Sequence, residues 1–239
     1  MKNSVVELLA NNPYPGRGII IGCSEDGARS IIIYFIMGRS ENSRNRVFIR
    51  TDDGIRTAAF DPAKLTDPSL VIYHPLREFG SKVIVTNGDQ TDTIVQHLKK
   101  DSDFHAALQT REFEPDAPNY TPRISGIVEQ NGGYCLSILK TVSGDPDNCQ
   151  RNFYDYSKAV SGLGHFISTY ETDGDPLPSF IGEPIAVGIT DSNGLETFAV
   201  EIWNALIDIN KVSLYARECD LTTGEVNDLI INKHKKSDR

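Results

Sequence analysis

Two apolar runs dominate the hydropathy pattern of the chain. Gly18–Cys23 reads GIIIGC and Ser30–Met37 reads SIIIYFIM, with the polar Ser24–Arg29 between them. Asp26-Gly27 in that polar stretch is a strong hairpin signal. Neither run alternates apolar with polar positions, so the pattern predicts a hairpin covered on both faces. Shorter strands are predicted at Val47–Arg50, Ile55–Phe60, Leu70–Tyr73, Lys82–Val85, Thr121–Glu129, Gly133–Lys140, Gly164–Tyr170 and Lys211–Cys219. Asp53-Gly54 and Asn131-Gly132 supply turns among them.

Helical spacing appears elsewhere. Val5, Val6, Leu8 and Leu9 form a short stripe that Pro13, Pro15 and Gly16 end. Ile94, Val95 and Leu98 give an apolar face to a helix after Asn87-Gly88, with Asp89 as its expected N-cap. A second helix is predicted over Asp103–Arg111, a third within Asn193–Asp208, and a terminal one over Thr222–Lys233. Residues 143–150 read as a polar loop, and the final KHKKSDR as a frayed basic tail. Strands in hairpins with helices between strand groups predict an α+β fold whose sheets are covered by helix layers. We find no internal repeat, and expect a single domain over residues 1–239 with 222–239 as a C-terminal helical extension.

Composition narrows the functions. The chain has 239 residues, a formal net charge of −9 and an apolar fraction of 39%. An acidic chain is a poor candidate for nucleic-acid binding, which requires a basic face to displace counterions. No segment approaches the about 18 apolar residues of a membrane span, and the start lacks the features of a signal peptide, so a cytoplasmic location is expected. Cys23, Cys135, Cys149 and Cys219 are far apart, with no CxxC pair and no histidine at zinc spacing. Free thiols are therefore expected, and neither a metal nor an organic cofactor. GRGIIIG leads into a strand, not a helix, and so is not a dinucleotide-binding fingerprint.

Charge is also distributed unevenly. Gly38–Arg50 (GRSENSRNRVFIR) carries Arg39, Arg44, Arg46 and Arg50 with Glu41 as its one acid. Such a cluster is either a solvated loop or a site for phosphate or carboxylate, whose oxygens match the guanidinium fork. Other candidates are ambiguous singly. The helix start after Asn87 offers free N–H groups, but Asp89 and Asp92 would repel an anion. Asp92 could accept from a ribose hydroxyl or anchor an arginine. Tyr73 is compatible with a core position, Glu114 with an exposed loop, and Arg123 with a structural ion pair.

Taken in order, several segments resemble one family. These are YPGRGIIIG at Tyr14–Gly22, GRS…NR from Gly38 to Arg46, Ile72-Tyr73, VTNGDQTDTI at Val85–Ile94, Phe113-Glu114, TPRI at Thr121–Ile124 and ISTYE at Ile167–Glu171. Over Tyr14 to Asp220 this order resembles the archaeal-type IMP cyclohydrolase family. The chain departs from that pattern by an added N-terminal segment, a longer Arg39–Arg46 spacing, an insertion around Ser143–Gly164 and a C-terminal extension. The resemblance implies a four-layer αββα fold like that of N-terminal-nucleophile hydrolases. It implies ring closure of 5-formamidoimidazole-4-carboxamide ribonucleotide to IMP, the last step of purine synthesis. It implies Arg46, Tyr73 and Glu114 as catalytic residues, and Arg17, Arg39, Asn87, Asp92 and Arg123 as pocket residues. A homo-oligomer is expected, from family habit and exposed sheet edges.

That chemistry suits the residue inventory. The enzyme must hold a reactive rotamer, donate to a developing oxyanion, and move protons as water leaves. Two alternatives stand beside it. Gly22-Cys23 resembles the junction at which N-terminal-nucleophile amidohydrolases cut to expose a cysteine, which would make Cys23 the nucleophile. A non-catalytic purine-nucleotide-binding module would keep Arg39, Arg46 and Arg123 but have no need of Glu114.

Overall fold

The computed structural model describes residues 2–234. Its order is β1 (Asn3–Ser4), α1 (Val5–Ala10), β2 (Arg17–Cys23), β3 (Arg29–Met37), α2 (Glu41–Arg44), β4 (Arg46–Thr51), β5 (Gly54–Ala59), β6 (Leu76–Phe79) and β7 (Lys82–Thr86). Then come α3 (Gln90–Leu98), α4 (Phe104–Gln109), β8 (Arg123–Val128), β9 (Tyr134–Val142), β10 (Asp145–Tyr156), β11 (Leu163–Ser168), β12 (Ile185–Gly188), α5 (Leu195–Ala205), β13 (Lys211–Asp220) and β14 (Val226–Asn232). The strands form two seven-stranded sheets, β1-β12-β11-β2-β3-β13-β14 and β10-β9-β8-β7-β6-β5-β4.

The β2–β3 hairpin lies near the middle of the first sheet, and its side chains divide between two cores. Ile19, Ile21, Ile32, Tyr34 and Ile36 meet Phe48, Leu76, Val85, Ile124 and Leu136 of the second sheet. Ile20, Ile31, Ile33, Phe35 and Met37 face the other way, onto Val5 and Leu9 of α1 and Phe198, Ala199 and Ile202 of α5. This two-sided demand is why the runs are continuously apolar. On the far face of the second sheet, Ile84, Ile127 and Leu139 pack against Ile94 and Val95 of α3 and Phe104, Ala107 and Leu108 of α4. The mixed α+β class is therefore as the sequence predicts.

Several elements differ. Residues 226–232 form strand β14 on the edge of the first sheet, not the terminal helix predicted over Thr222–Lys233. Leu229 and Ile231 pack toward the α1/α5 core while Ile230 turns to the inter-sheet core, a period of two. Residues 235–239 of the expected basic tail lie outside the described residues. The supposed loop 143–150 belongs largely to β10, which pairs with β9 after a turn at Ser143 and Gly144, both at positive φ. Leu70–Tyr73 is not a strand. It runs beside β5, where Thr57 Oγ1 donates to Val71 O at 2.7 Å and accepts from Tyr73 N at 2.9 Å. Among the described residues, no helix is long and apolar enough to cross a membrane.

Candidate active site

Arg17 opens β2, and its Nη2 donates to both carboxylate oxygens of Glu114, at 3.2 and 3.1 Å. Glu114 follows α4 in a non-regular segment and is only 2% exposed. Its backbone N–H donates to Thr121 O at 2.8 Å. Thr121 fixes that segment in turn. Its N and Oγ1 donate to the two carboxylate oxygens of Asp116 at 2.6 and 2.5 Å. With its proton committed there, the Thr121 oxygen accepts from the Tyr170 hydroxyl at 2.6 Å.

A second set of groups stands behind Glu114. Asn87 Nδ2 reaches Glu114 Oε1 at 3.4 Å and Pro122 O at 2.9 Å. Its Oδ1 accepts from Ile124 N at 2.9 Å and Gln90 Nε2 at 3.0 Å, so its amide orientation is determined by partners on both sides. Arg123 Nη1 donates to Gln90 Oε1 at 2.7 Å and lies 2.8 Å from Asp89 Oδ1. Gly88 makes room for this packing. A Cβ there would sit 2.5 Å from Arg123 Nη1 and 3.6 Å from Glu114 Oε1. Here the Asn-Gly dipeptide supplies space for a guanidinium, and Gly88 is not among the positive-φ glycines.

Arg17 and Glu114 line a cavity of 310 Å³ together with Arg39, Arg46, Tyr14 and Asp116. Ser40 and Ser43, the N-cap and a member of α2, line the same space. Arg46 is 3% exposed and anchored by Nε donating to Ser43 O at 2.7 Å. Its terminal nitrogens have no protein acceptor among the described residues. Arg39 donates through Nη1 to Asp173 Oδ1 and Gly174 O, both at 2.8 Å, and its guanidinium lies 5.3 Å from the Tyr14 ring centroid. Tyr73 is buried just outside this lining, its hydroxyl 2.9 Å from that of Tyr34.

Burial and charge compete here. Burial pushes the Glu114 carboxyl above its ordinary range, Arg17 and Arg123 pull it back, and Asp116 adds to the rise. For Arg17 burial works against the charge, yet Glu114 foremost, with Tyr170, Tyr73 and Tyr14, keeps it firmly protonated. Burial pushes the Tyr170 hydroxyl up to about 12. The cavity thus combines fixed positive charge with one carboxylate that accepts a proton more readily than an exposed one.

Of the residues singled out from sequence, Arg17, Arg39, Arg46 and Glu114 line the cavity, Asn87 and Arg123 stand behind Glu114, and Tyr73 pairs with Tyr34 outside the lining. Asp92 is not in the cavity lining and takes the arginine-anchoring alternative. Its carboxylate accepts from Arg77 at 2.8 Å and lies 3.6 Å from His74 Nδ1, so it anchors an arginine away from the cavity. Asp89 makes no side-chain cap on α3, because Arg111 and Arg123 take its carboxylate. Arg44 and Arg50 are structural and not free. Arg44 donates to Gly38 O and Asn210 Oδ1, and Arg50 pairs with Asp228. Cys23 lies at the far end of β2, does not line the cavity, and is 1% exposed. Burial, then Asp26, raise its thiol pKa. Tyr14, Asp116, Thr121 and Tyr170 also line the cavity and are not among the sequence candidates. Three of them sit inside the quoted YPGRG, TPRI and ISTYE blocks, which was the available signal.

The fold and cavity define an α+β protein in which three arginines surround a buried carboxylate in one cavity. Residues 14–224 match the family described as IMP cyclohydrolase-like protein, and the chain belongs to that family. The IMP cyclohydrolase of Methanopyrus kandleri is 34% identical over 165 residues, covering 66% of this chain and 75% of that protein. That of Methanococcus aeolicus is 27% identical over 162 residues, covering 66% and 74%. That of Haloquadratum walsbyi is 33% identical over 119 residues, covering 48% and 56%.

Proposed function

We propose that the chain is an IMP cyclohydrolase that closes 5-formamidoimidazole-4-carboxamide ribonucleotide to IMP with loss of water. The supporting observation is the assembly of Arg17, Arg39, Arg46 and Glu114 around one cavity in a member of this family. In the reaction the carboxamide nitrogen bonds to the formyl carbon. The formyl oxygen leaves as water, taking one hydrogen from the carboxamide nitrogen and one from the formamide nitrogen. Both reacting groups are on one ring, so much of the catalysis is selection of the reactive rotamer.

In this reading Arg46, and Tyr73 on turning its hydroxyl from Tyr34 toward the cavity, stabilise negative charge developing on the formyl oxygen. Glu114 takes the proton from the carboxamide nitrogen, for which its elevated proton affinity is suited. Arg39 grips the 5′-phosphate, exchanging Asp173 for it. Arg17, Asn87 and Arg123 orient Glu114. The helices outside the two sheets fit a four-layer αββα sandwich of the N-terminal-nucleophile type. The Cys23 alternative fares worse, since cleavage before Cys23 would remove Arg17 from the cavity.

The test is turnover of the formamido ribonucleotide, followed by absorbance as the purine ring forms. The expected result is cyclisation by the wild type and strong loss in Tyr73→Phe and Glu114→Gln. Nucleotide binding with no cyclisation would favour the non-catalytic module. Wild-type rates in both variants would remove these residues from the mechanism.

A further inference from the structure

A second cluster of chemically capable side chains lies on the outer face of the second sheet. Cys135 on β9 and Asp155 on β10 are direct cross-strand partners, so their side chains share one face. His105 on α4 sits over that pair. Its Nε2 is 4.0 Å from Cys135 Sγ and 3.4 Å from Asp155 Oδ2. One donor atom from each of the three lies within 4.8 Å of the others. The three residues share no local motif. Their spacing along the chain follows from the β9–β10 hairpin and the docking of α4.

We propose that His105, Cys135 and Asp155 bind a borderline-soft divalent cation of the zinc or cobalt class, tying α4 to the β9–β10 hairpin. Tetrahedral zinc with ordinary bond lengths places its donors about 3.3–3.6 Å apart. The separations of 4.0 and 3.4 Å, with the third pair within 4.8 Å, are brought to this by side-chain rotation. A sulfur, an imidazole nitrogen and a carboxylate oxygen together select zinc or cobalt over magnesium or calcium, which take oxygen donors. The cluster borders a cavity of 380 Å³ whose lining includes Asn131 and Ser157. His105 and Asp155 side chains are 45% and 65% exposed, so an ion can enter, and solvent can fill a fourth position. Cys135, at 5% exposure, supplies the buried anchor. None of the three residues lines the arginine cavity, so the proposal stands independently of the function assigned there.

The experiment titrates the full-length chain, stripped with chelator, with Co²⁺ and then with Zn²⁺. The expected result is one equivalent of Co²⁺ giving thiolate-to-cobalt charge-transfer absorption in the near ultraviolet, with Zn²⁺ erasing it. Cys135→Ser abolishes the band. Cys149→Ser and Cys219→Ser keep it. His105→Gln and Asp155→Asn each weaken binding at least about tenfold. They alter partly exposed side chains, so they carry the test if Cys135→Ser does not fold. No thiolate band in the wild type would overturn the proposal. So would a band that survives Cys135→Ser, or unchanged affinity in both His105→Gln and Asp155→Asn. The cluster would then be a His–Asp pair above a buried thiol.

Discussion

Arg17 spans both oxygens of Glu114 from a single terminal nitrogen, and the two residues are 97 positions apart in the chain. The contact joins the central hairpin of one sheet to the segment that follows the helices of the other. It also sets the proton affinity of the carboxylate, because Arg17 opposes the rise that burial imposes. The acid limb of kcat/KM, which reports groups of the free enzyme, should therefore lie above the ordinary carboxylate range. Replacing Arg17 by Gln removes a charge that lowers the Glu114 pKa, so the limb should move to still higher pH. Arg17→Lys should leave it nearer the wild-type position. A limb that persists unchanged in Glu114→Gln would assign it to another group.

Two of the three cavity arginines, Arg39 and Arg46, should fail differently. Arg39 is partly exposed and paired with Asp173 at the rim, whereas Arg46 is buried and anchored by Ser43 O. Arg39→Ala should raise KM about tenfold or more through loss of a charge-assisted contact, with kcat little changed. Arg46→Ala should lower kcat about a hundred- to a thousandfold, the usual cost of removing an oxyanion donor. Asp173→Asn should lower KM by releasing Arg39. Identical defects in Arg39→Ala and Arg46→Ala would make the cluster a single phosphate clamp.

Tyr34 and Tyr73 share a hydroxyl–hydroxyl contact of 2.9 Å, and Tyr34 is wholly buried. Burial, reinforced by Tyr73, holds the Tyr34 hydroxyl protonated at all working pH. Tyr34 thus positions Tyr73 without reaching the cavity. Tyr34→Phe should reduce kcat less than Tyr73→Phe. Their double-mutant cycle should show a coupling of about 0.5–1.5 kcal/mol, that of one hydrogen bond. Additive effects would mean that Tyr34 does not orient Tyr73.

Asp89 supplies a stability test by pH. Burial alone would raise its carboxyl, but the hydrogen bond from Arg111 and the charges of Arg123 and Arg111 bring it below the ordinary value. A carboxyl with a depressed folded-state pKa contributes stability above its unfolded pKa, about 3.9, and loses it as pH falls through the folded value. Thermal unfolding of Asp89→Asn against wild type should show a constant deficit at neutral pH that shrinks below the ordinary carboxylate range. A pH-independent deficit would assign the effect to packing.

The parts of this structure legible in sequence are those with one strong local cause. Gly18–Cys23 and Ser30–Met37 could be read because burial on both faces leaves no polar position and Asp26-Gly27 forces the turn. The cavity could be read in part because Arg17, Arg39, Arg46 and Glu114 fall in blocks whose order matches a family. What stayed hidden depends on distant partners. Arg50 reads as solvated in sequence but pairs with Asp228, Asp92 reads as a ribose contact or an arginine anchor and Arg77 selects the second, and Leu70–Tyr73 reads as a strand although Thr57 supplies hydroxyl bonds where a ladder would run. Leu229, Ile230 and Ile231 are consecutive, so helical and extended periods fit them equally well. Only the open edge of β13 decides between the two.

That edge strand also closes the gap between the sheets, through Asn232. Its Oδ1 accepts from Phe48 N at 2.8 Å and its Nδ2 donates to Phe48 O at 3.0 Å, so a side chain from β14 pairs with the backbone of β4 as a neighbouring strand would. Ser213 Oγ adds a third contact at 2.7 Å. Phe48 is 2% exposed, and removing Asn232 leaves its backbone donor and acceptor without this partner in a buried place. Asn232→Ala should therefore cost about 1–3 kcal/mol in denaturant unfolding. Asn232→Asp keeps an acceptor for Phe48 N but faces Phe48 O with a second acceptor, and should be at least as damaging at neutral pH. It should recover partly in acid, where a protonated carboxyl can donate. A neutral Asn232→Ala would mean that this side-chain pairing adds nothing to the apolar contacts and ion pairs, Arg50–Asp228 among them, that join the two sheets.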